Sequence, residues 1–280
     1  MLNIGVRGHD VTGAATPEAL GRALEGYGVH AVQLALARSF PSMASDAQHL
    51  SPGMGGFVRR TLAEHGVEVA VLGCYFNMIH PDPVVRERGI ERFCAHIAQA
   101  RSFGTSIVAS ESGSVDVEFG YTEENFTAEA FEASAAVIKR LCREAERYGV
   151  TVGIEAGVNH PIHDARTFAE LIQYVDSPSL GLVLDPTALI RPQTAGRQVA
   201  IAHEMLERFS SRACACHLVD FRITEGRIER CNLGEGVLPV QDLVQEFECA
   251  RPCGYVICEF TTDDHIASAV RLVTNFSRPL

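Results

Sequence analysis

The chain is short of positive charge: 24 Lys and Arg stand against 35 Asp and Glu, the formal charge is −11, and no basic run appears anywhere. Phosphate backbones are bound by grouped Lys and Arg that release counterions, so no nucleic-acid partner is expected. Long apolar runs are missing too. No segment approaches the roughly 18 consecutive apolar residues of a membrane span. MLNIGVRGHD has no positive stretch leading into an apolar core, so no membrane partner and a cytoplasmic location are expected. No Gly-x-Gly-x-x-Gly turn follows the first apolar run, which removes the best support for a dinucleotide-binding open sheet. No Pro-, Gly- or Ser-rich linker divides the sequence, and residues 1–280 are expected to form a single domain. The nine cysteines are odd in number and scattered from Cys74 to Cys258, unlike the disulfide framework of a small secreted fold. Cys214 and Cys216 lack zinc-knuckle spacing and read as buried thiols.

What is present is a regular alternation. Apolar residues make up 46% and charged residues 21%, ordinary for a globular chain with a large core. Eight short apolar runs read as strands: LNIGVR from Leu2, AVQLAL from Ala31, VEVAVLGCY from Val67, SIVAS from Ser106, TVGIEA from Thr151, LGLVLD from Leu180, ACACHLVD from Ala213 and YVICEF from Tyr255. Continuous Val, Ile and Leu without polar alternation suits parallel strands covered on both faces. Helical signals lie between them. Thr16-Pro17 and Asp82-Pro83 set a capping side chain before a first-turn proline, Asp164 is expected to cap the helix after the fifth strand, and Phe168, Leu171, Ile172 and Val175 share one helical face. Gly28, Gly66, Gly104 and Gly149 stand where left-handed C-caps belong. Residues 39–56, 112–127 and 190–197 read as longer loops. The pattern predicts an α/β fold, a single (β/α)8 TIM barrel.

In such a barrel, chemistry gathers where the strands end. The fifth to eighth strands end on Glu155, Asp185, His217 and Glu259, spaced 30, 32 and 42 residues apart, close to one β/α repeat each. The four side chains should therefore point to a common centre. Three buried carboxylates without a cation would repel one another and protonate, so the set is expected to bind a divalent metal. Its hard oxygen and nitrogen donors suit Mn²⁺, Mg²⁺ or Co²⁺, with Zn²⁺ also open. His9 and Asp10 after the first strand, Asn77 and His80 after the third, and Glu111 after the fourth lie at the same mouth and could hold substrate hydroxyls. Arg222, Arg227 and Arg230, with the backbone of Gly234 and Gly236, could form an anion site.

Several stretches resemble the sugar phosphate isomerase/epimerase superfamily of xylose-isomerase-like TIM barrels: GIEAG from Gly153, LDPTALI from Leu184, CHLVDF from Cys216, RCNLGEG from Arg230 and ICEF from Ile257, with GVRGHD and YFNMIHPD nearer the N-terminus. The resemblance implies that Glu155, Asp185, His217 and Glu259 bind the metal. It also implies that Glu155 and Glu259 move protons on opposite faces of the substrate carbon, that Arg230 binds a substrate oxygen, and that His163 is an auxiliary pocket residue. The substrate class implied is a ketose or other small keto-polyol, isomerised or epimerised through an enediolate, by an enzyme that could be a homodimer or homotetramer. Metal-dependent dehydratases or lyases of keto-inositols and 3-keto-glycosides begin with the same proton abstraction. A barrel that binds a sugar without turnover is a third reading. The sequence departs from its relatives at Ala188, where many carry Asn or His, which bears on the identity of the substrate.

Overall fold

The structure, a computed structural model, describes residues 1–277; the last three residues of the expected domain lie outside them. Among the described residues the strands are β1 (Asn3–Arg7), β2 (Ala31–Leu34), β3 (Glu68–Gly73), β4 (Ile107–Glu111), β5 (Thr151–Glu155), β6 (Leu180–Leu184), β7 (Ala213–Leu218), β8 (Asp220–Thr224), β9 (Arg227–Cys231) and β10 (Tyr255–Cys258). Eight of them close a parallel barrel in the order β1-β10-β7-β6-β5-β4-β3-β2, as the alternation predicted, while β8 and β9 form a separate antiparallel ribbon. The helices are α1 (Pro17–Tyr27), α2 (Leu36–Ser39), α3 (Pro52–Ala63), α4 (Pro83–Phe103), α5 (Ala128–Tyr148), α6 (Ala165–Val175), α7 (Gln198–Phe209), α8 (Val240–Ala250) and α9 (Asp263–Phe276).

Local chemistry accounts for the helix ends. Thr16 accepts from the Ala19 N–H, Asp82 from those of Val84 and Val85, and Asp164 from that of Thr167, each cap contributing about 1 kcal/mol. Gly28, Gly104 and Gly149 close α1, α4 and α5 in the left-handed region. Two expectations change. Helix α3 begins inside the expected loop 39–56, because Ser51 accepts from the Met54 N–H and Pro52 opens the first turn; the glycines at 53, 55 and 56 hid that signal. The run ACACHLVD is divided: β7 stops at Leu218, and Asp220 begins the ribbon.

The core has two layers. The larger packs the outer faces of the strands against the helices, through residues such as Leu34, Val108, Leu182, Cys216 and Cys258 with Phe93, Phe168 and Phe247. A smaller cluster fills the barrel itself, formed by Ala31, Ala70, Val71, Ile107, Ala109, Val183, Ala215 and Ile257. Its members are small because the space is narrow. A Cβ on Gly153 would lie 2.9 Å from Val183 Cγ2 and 3.1 Å from Cys214 Sγ.

Candidate functional site

Side chains on a strand alternate between faces, so each interior residue is followed two positions later by another. Applied to the buried interior layer, this rule defines the layer above it. Arg7 follows Gly5, Gln33 follows Ala31, Glu111 follows Ala109, Glu155 follows Gly153, Asp185 follows Val183, His217 follows Ala215 and Glu259 follows Ile257. The register agrees, pairing Arg7 with Gln33, Glu111 with Glu155 and Ile257 with His217. At β3 the corresponding residue is Gly73, whose missing Cβ leaves room for the Tyr75 ring, 2.9 Å from where that atom would be. The mouth of the barrel is thus floored by four carboxylates, one guanidinium, one imidazole and one carboxamide.

Glu155, Asp185 and His217 each present a ligand atom within 4.8 Å of the others. Glu259 joins them through the imidazole: His217 Nδ1 lies 3.2 Å from Glu259 Oε1 and 3.4 Å from Glu155 Oε2. That nitrogen is buried, yet neither carboxylate meets it in hydrogen-bonding geometry. Its other nitrogen is committed, since Nε2 lies 2.9 Å from Gln33 Oε1. The Gln33 amide cannot turn over without cost, because its Nε2 donates to Tyr75 Oη at 2.9 Å and to Glu259 Oε1 at 3.1 Å. A reversed amide would set oxygen against a carboxylate. Gln33 therefore fixes a hydrogen on Nε2 and leaves Nδ1 as the atom that faces the acidic cluster. Asp185 is steadied by the N–H groups of Thr187 and Ala188 on Oδ1 at 2.7 and 3.0 Å.

The second glutamate is held more tightly than the first. Arg7 donates to Glu259 Oε2 at 3.1 Å and grips Asp10 with two bonds of 2.8 and 2.9 Å. Asp10 in turn accepts from the Phe260 N–H at 2.9 Å. Phe260 has a left-handed φ of 53°, a strained conformation for a bulky residue of the kind found at ligand sites, and the Arg7 and Arg230 guanidiniums both pack against its ring, 3.8 and 4.2 Å from the centroid. The Glu259 side chain keeps 7% exposure, that of Glu155 16%. Glu155 is the carboxylate more open to the pocket.

The electrostatics describe a cluster with surplus negative charge. Burial, then the Glu155 charge, pushes the Asp185 carboxyl up to about 7. Burial disfavours a charged His217, but the charges of Glu259 and Glu155 outweigh it and raise the imidazole to about 9. Burial and Glu155 likewise raise Glu111. Burial also works to raise Glu155, but His217 draws it down overall. A proton on His217 is the counter-charge the cluster supplies for itself. A divalent cation fits the same place better, with carboxylate oxygens and an aimed imidazole nitrogen as donors.

The remaining predicted residues divide. His9 keeps both ring nitrogens buried and unpartnered, and Glu111 keeps Oε2 so; burial and Arg7 lower His9 to about 4, leaving a neutral ring. Both face the mouth with free hydrogen-bonding capacity. Asn77 instead ties its loop together, donating to Asp116 O and accepting from the Ile79 and Ser114 N–H groups. His80 accepts from the Asp82 N–H and borders a separate cavity with His49 and Arg88. His163 lies 3.0 Å from Pro161 O and edge-on to Phe126. His160 Nδ1 lies 2.9 Å from Gly113 O. In the expected anion loop, the Gly234 and Gly236 N–H groups already donate to the buried Asp220 carboxylate, along with those of Phe221 and Leu238, and Arg222 is held by Glu235. Arg7, Gln33 and Tyr75 were missed in the sequence. The signal available was a polar residue two positions beyond a small one in an apolar strand.

A family model described as xylose isomerase-like TIM barrel matches residues 20–277. No curated protein matches the sequence. A xylose isomerase-like TIM barrel protein from Mycobacterium smegmatis, solved in complex with magnesium, superposes with a TM-score of 0.75 at 14% identity, covering 99% of this chain and 96% of that one. The probable 3-DHS dehydratase AsbF of Bacillus anthracis, involved in petrobactin synthesis, gives 0.75 at 15% identity over 98% and 99% of the two chains. A D-psicose 3-epimerase, solved in the presence of D-fructose, gives 0.72 at 12% identity over 98% and 99%. At these identities the likeness shows the shared barrel.

Proposed function

Since the chain belongs to the xylose isomerase-like TIM barrel family, we propose that it is a divalent-metal-dependent isomerase or epimerase of a ketose or another small keto-polyol. The observation that carries this reading is the cluster itself: ligand atoms of Glu155, Asp185 and His217 within 4.8 Å of one another, with a second glutamate, Glu259, against the same imidazole at 3.2 Å. Glu155, Asp185, His217 and Glu259 would hold the ion, Mn²⁺, Mg²⁺ or Co²⁺ by donor type, and it would supply Lewis acidity toward the substrate's oxygens.

The chain's own residues supply the proton traffic. Glu155, the more open carboxylate, removes the proton beside the substrate carbonyl, giving an enediolate. Glu259, braced by Arg7 and Gln33, starts the cycle protonated and gives its proton to the other face or the other carbon, which epimerises or isomerises; Glu155 then releases its proton to water and Glu259 takes one up, restoring the starting state. Positioned groups of this kind contribute about 10² to 10⁴ in rate. Neutral His9 and buried Glu111, each with unpartnered atoms, offer hydrogen bonds to hydroxyls, and Arg230 stands at the rim over Phe260.

The test is metal analysis of the purified protein, then incubation of the Mn²⁺-loaded form with ketoses and keto-polyols in D₂O, followed by NMR and mass spectrometry. Deuterium at one carbon with unchanged formula supports the proposal. Loss of water from the product would replace it by a dehydratase. A protein that takes up no divalent ion at neutral pH would end the metal-dependent reading.

A further inference from the structure

A cavity of about 460 Å³ opens beside the metal cluster, with Asp185 and Ala188 on its inner wall and Arg191, Arg230 and Tyr121 further along it. Its volume lies within the range of small-molecule pockets. We propose that its two arginines bind an acidic group, a carboxylate or a phosphate, so that the substrate is an anionic keto-sugar rather than a neutral ketose. The inference deepens the isomerase reading and rests on it.

The two guanidiniums are oriented by aromatic rings instead of by carboxylates. Arg191 lies over Tyr121 and Phe126, 5.1 and 5.7 Å from their centroids, and gives one N–H to Val158 O at 3.3 Å. Arg230 packs on Phe260 at 4.2 Å. Neither guanidinium is in a close ion pair among the described residues, although the charge of Arg230 reaches Glu155 and helps to hold that carboxyl down. Both line the same cavity as Asp185. A guanidinium stacked on a ring keeps its in-plane N–H fork free, and that fork matches carboxylate and phosphate oxygens.

The rest of the pocket gives the pair its purpose. Thr187, on the cavity wall, has its hydroxyl committed, since Oγ1 donates to Val219 O at 2.7 Å. Ala188 presents only a methyl group, and with Asn159 and Tyr121 as neutral neighbours the positive charge on this cavity comes from the arginines. An anion close to Glu155, Asp185 and Glu259 would be repelled. Seated against Arg191 and Arg230, it is screened from them, and the keto-polyol end can reach the cluster.

Isothermal titration of the Mn²⁺-loaded protein with D-fructose, D-fructose 6-phosphate and D-fructuronate tests the proposal and distinguishes phosphate from carboxylate. One of the two acidic probes should bind about tenfold or more tightly than fructose, the margin of a charge-assisted hydrogen bond. That preference should fall in Arg191→Gln and Arg230→Gln and vanish in the double variant, with Mn²⁺ affinity unchanged. Lysine at either position should restore part of it. Equal affinities for the three probes, no binding of either acidic probe, or a preference that survives the double variant would overturn the assignment. Normal Mn²⁺ uptake with no anion preference removes only this inference, whereas absent Mn²⁺ uptake removes the isomerase reading beneath it.

Discussion

The two ends of the barrel treat their polar groups in opposite ways. At the N-terminal rim, the Met1 amine meets Glu248 at 2.7 Å, Ser277 donates to the same carboxylate at 2.6 Å and accepts from the Leu2 N–H at 3.0 Å, and Tyr255 donates to Glu68 at 3.0 Å. At the mouth, among the described residues, buried atoms of His9, Glu111 and His217 have no hydrogen-bond partner, and all three lie in the C-terminal half of a strand or just after it. Each such atom costs about 1–3 kcal/mol relative to a satisfied one. One rim closes on itself and serves stability. The other holds an arrangement that a ligand completes, which is why unsatisfied groups gather there.

The sharpest break of that contrast is Glu155→Gln. Turnover should drop by about 10² to 10⁴ in steady-state assays, and the metal-free protein should melt somewhat lower at neutral pH, because His217 holds the Glu155 carboxyl down and so stabilises its charged form. Next is Arg7→Met, which leaves Glu259 and Asp10 without their cation; the metal-free protein should lose about 3–5 kcal/mol in urea titrations. Gln33→Leu should weaken Mn²⁺ binding about 10- to 100-fold by freeing the His217 tautomer, read by competition with a metallochromic dye. The pH response has a definite sign above about pH 6.5, whereas below that Asp185, raised to about 7, and His9, lowered to about 4, act in opposite directions. His217 is raised to about 9, so between about pH 6.5 and 9 the metal-free folded state holds more protons than the unfolded chain. Its stability should fall as pH rises through that window, being full for His217 below its ordinary value of about 6.5 and lost through 9. The melting shift produced by Mn²⁺ should grow over the same range, since the ion displaces those protons. A thermal melt series settles the sign. The smallest effect belongs to the far rim, where Tyr255→Phe should leave turnover unaltered and reduce stability by about 1 kcal/mol or less.

Much of this was legible in the sequence because parallel strands and capped helices write themselves in local terms: the eight apolar runs and the caps at Thr16, Asp82 and Asp164 required no tertiary information. The convergence of Glu155, Asp185 and His217 followed from their strand-end spacing. Gln33 and Arg7 did not, because a polar residue in an apolar run has no visible partner until the barrel closes. The ribbon β8–β9 escaped for another reason. Its turn is Glu225-Gly226, both left-handed at φ 51° and 74°, whereas the recognisable signal for such a turn is Asn-Gly or Asp-Gly. His80, Asn77 and His163 show the converse, residues of suitable chemistry near the mouth whose local backbone bonds decide where they point.

The ribbon bears on how such a scaffold can change its specificity. Its base is tied to the segment that follows it by one carboxylate, that of Asp220, which gathers four main-chain amides, while a Cβ added at Gly226 would touch nothing within 4 Å. The tip is therefore an interchangeable part. Longer, shorter or grafted sequences there could remodel what overhangs the pocket beside Arg230 and leave the proton-transfer floor in place.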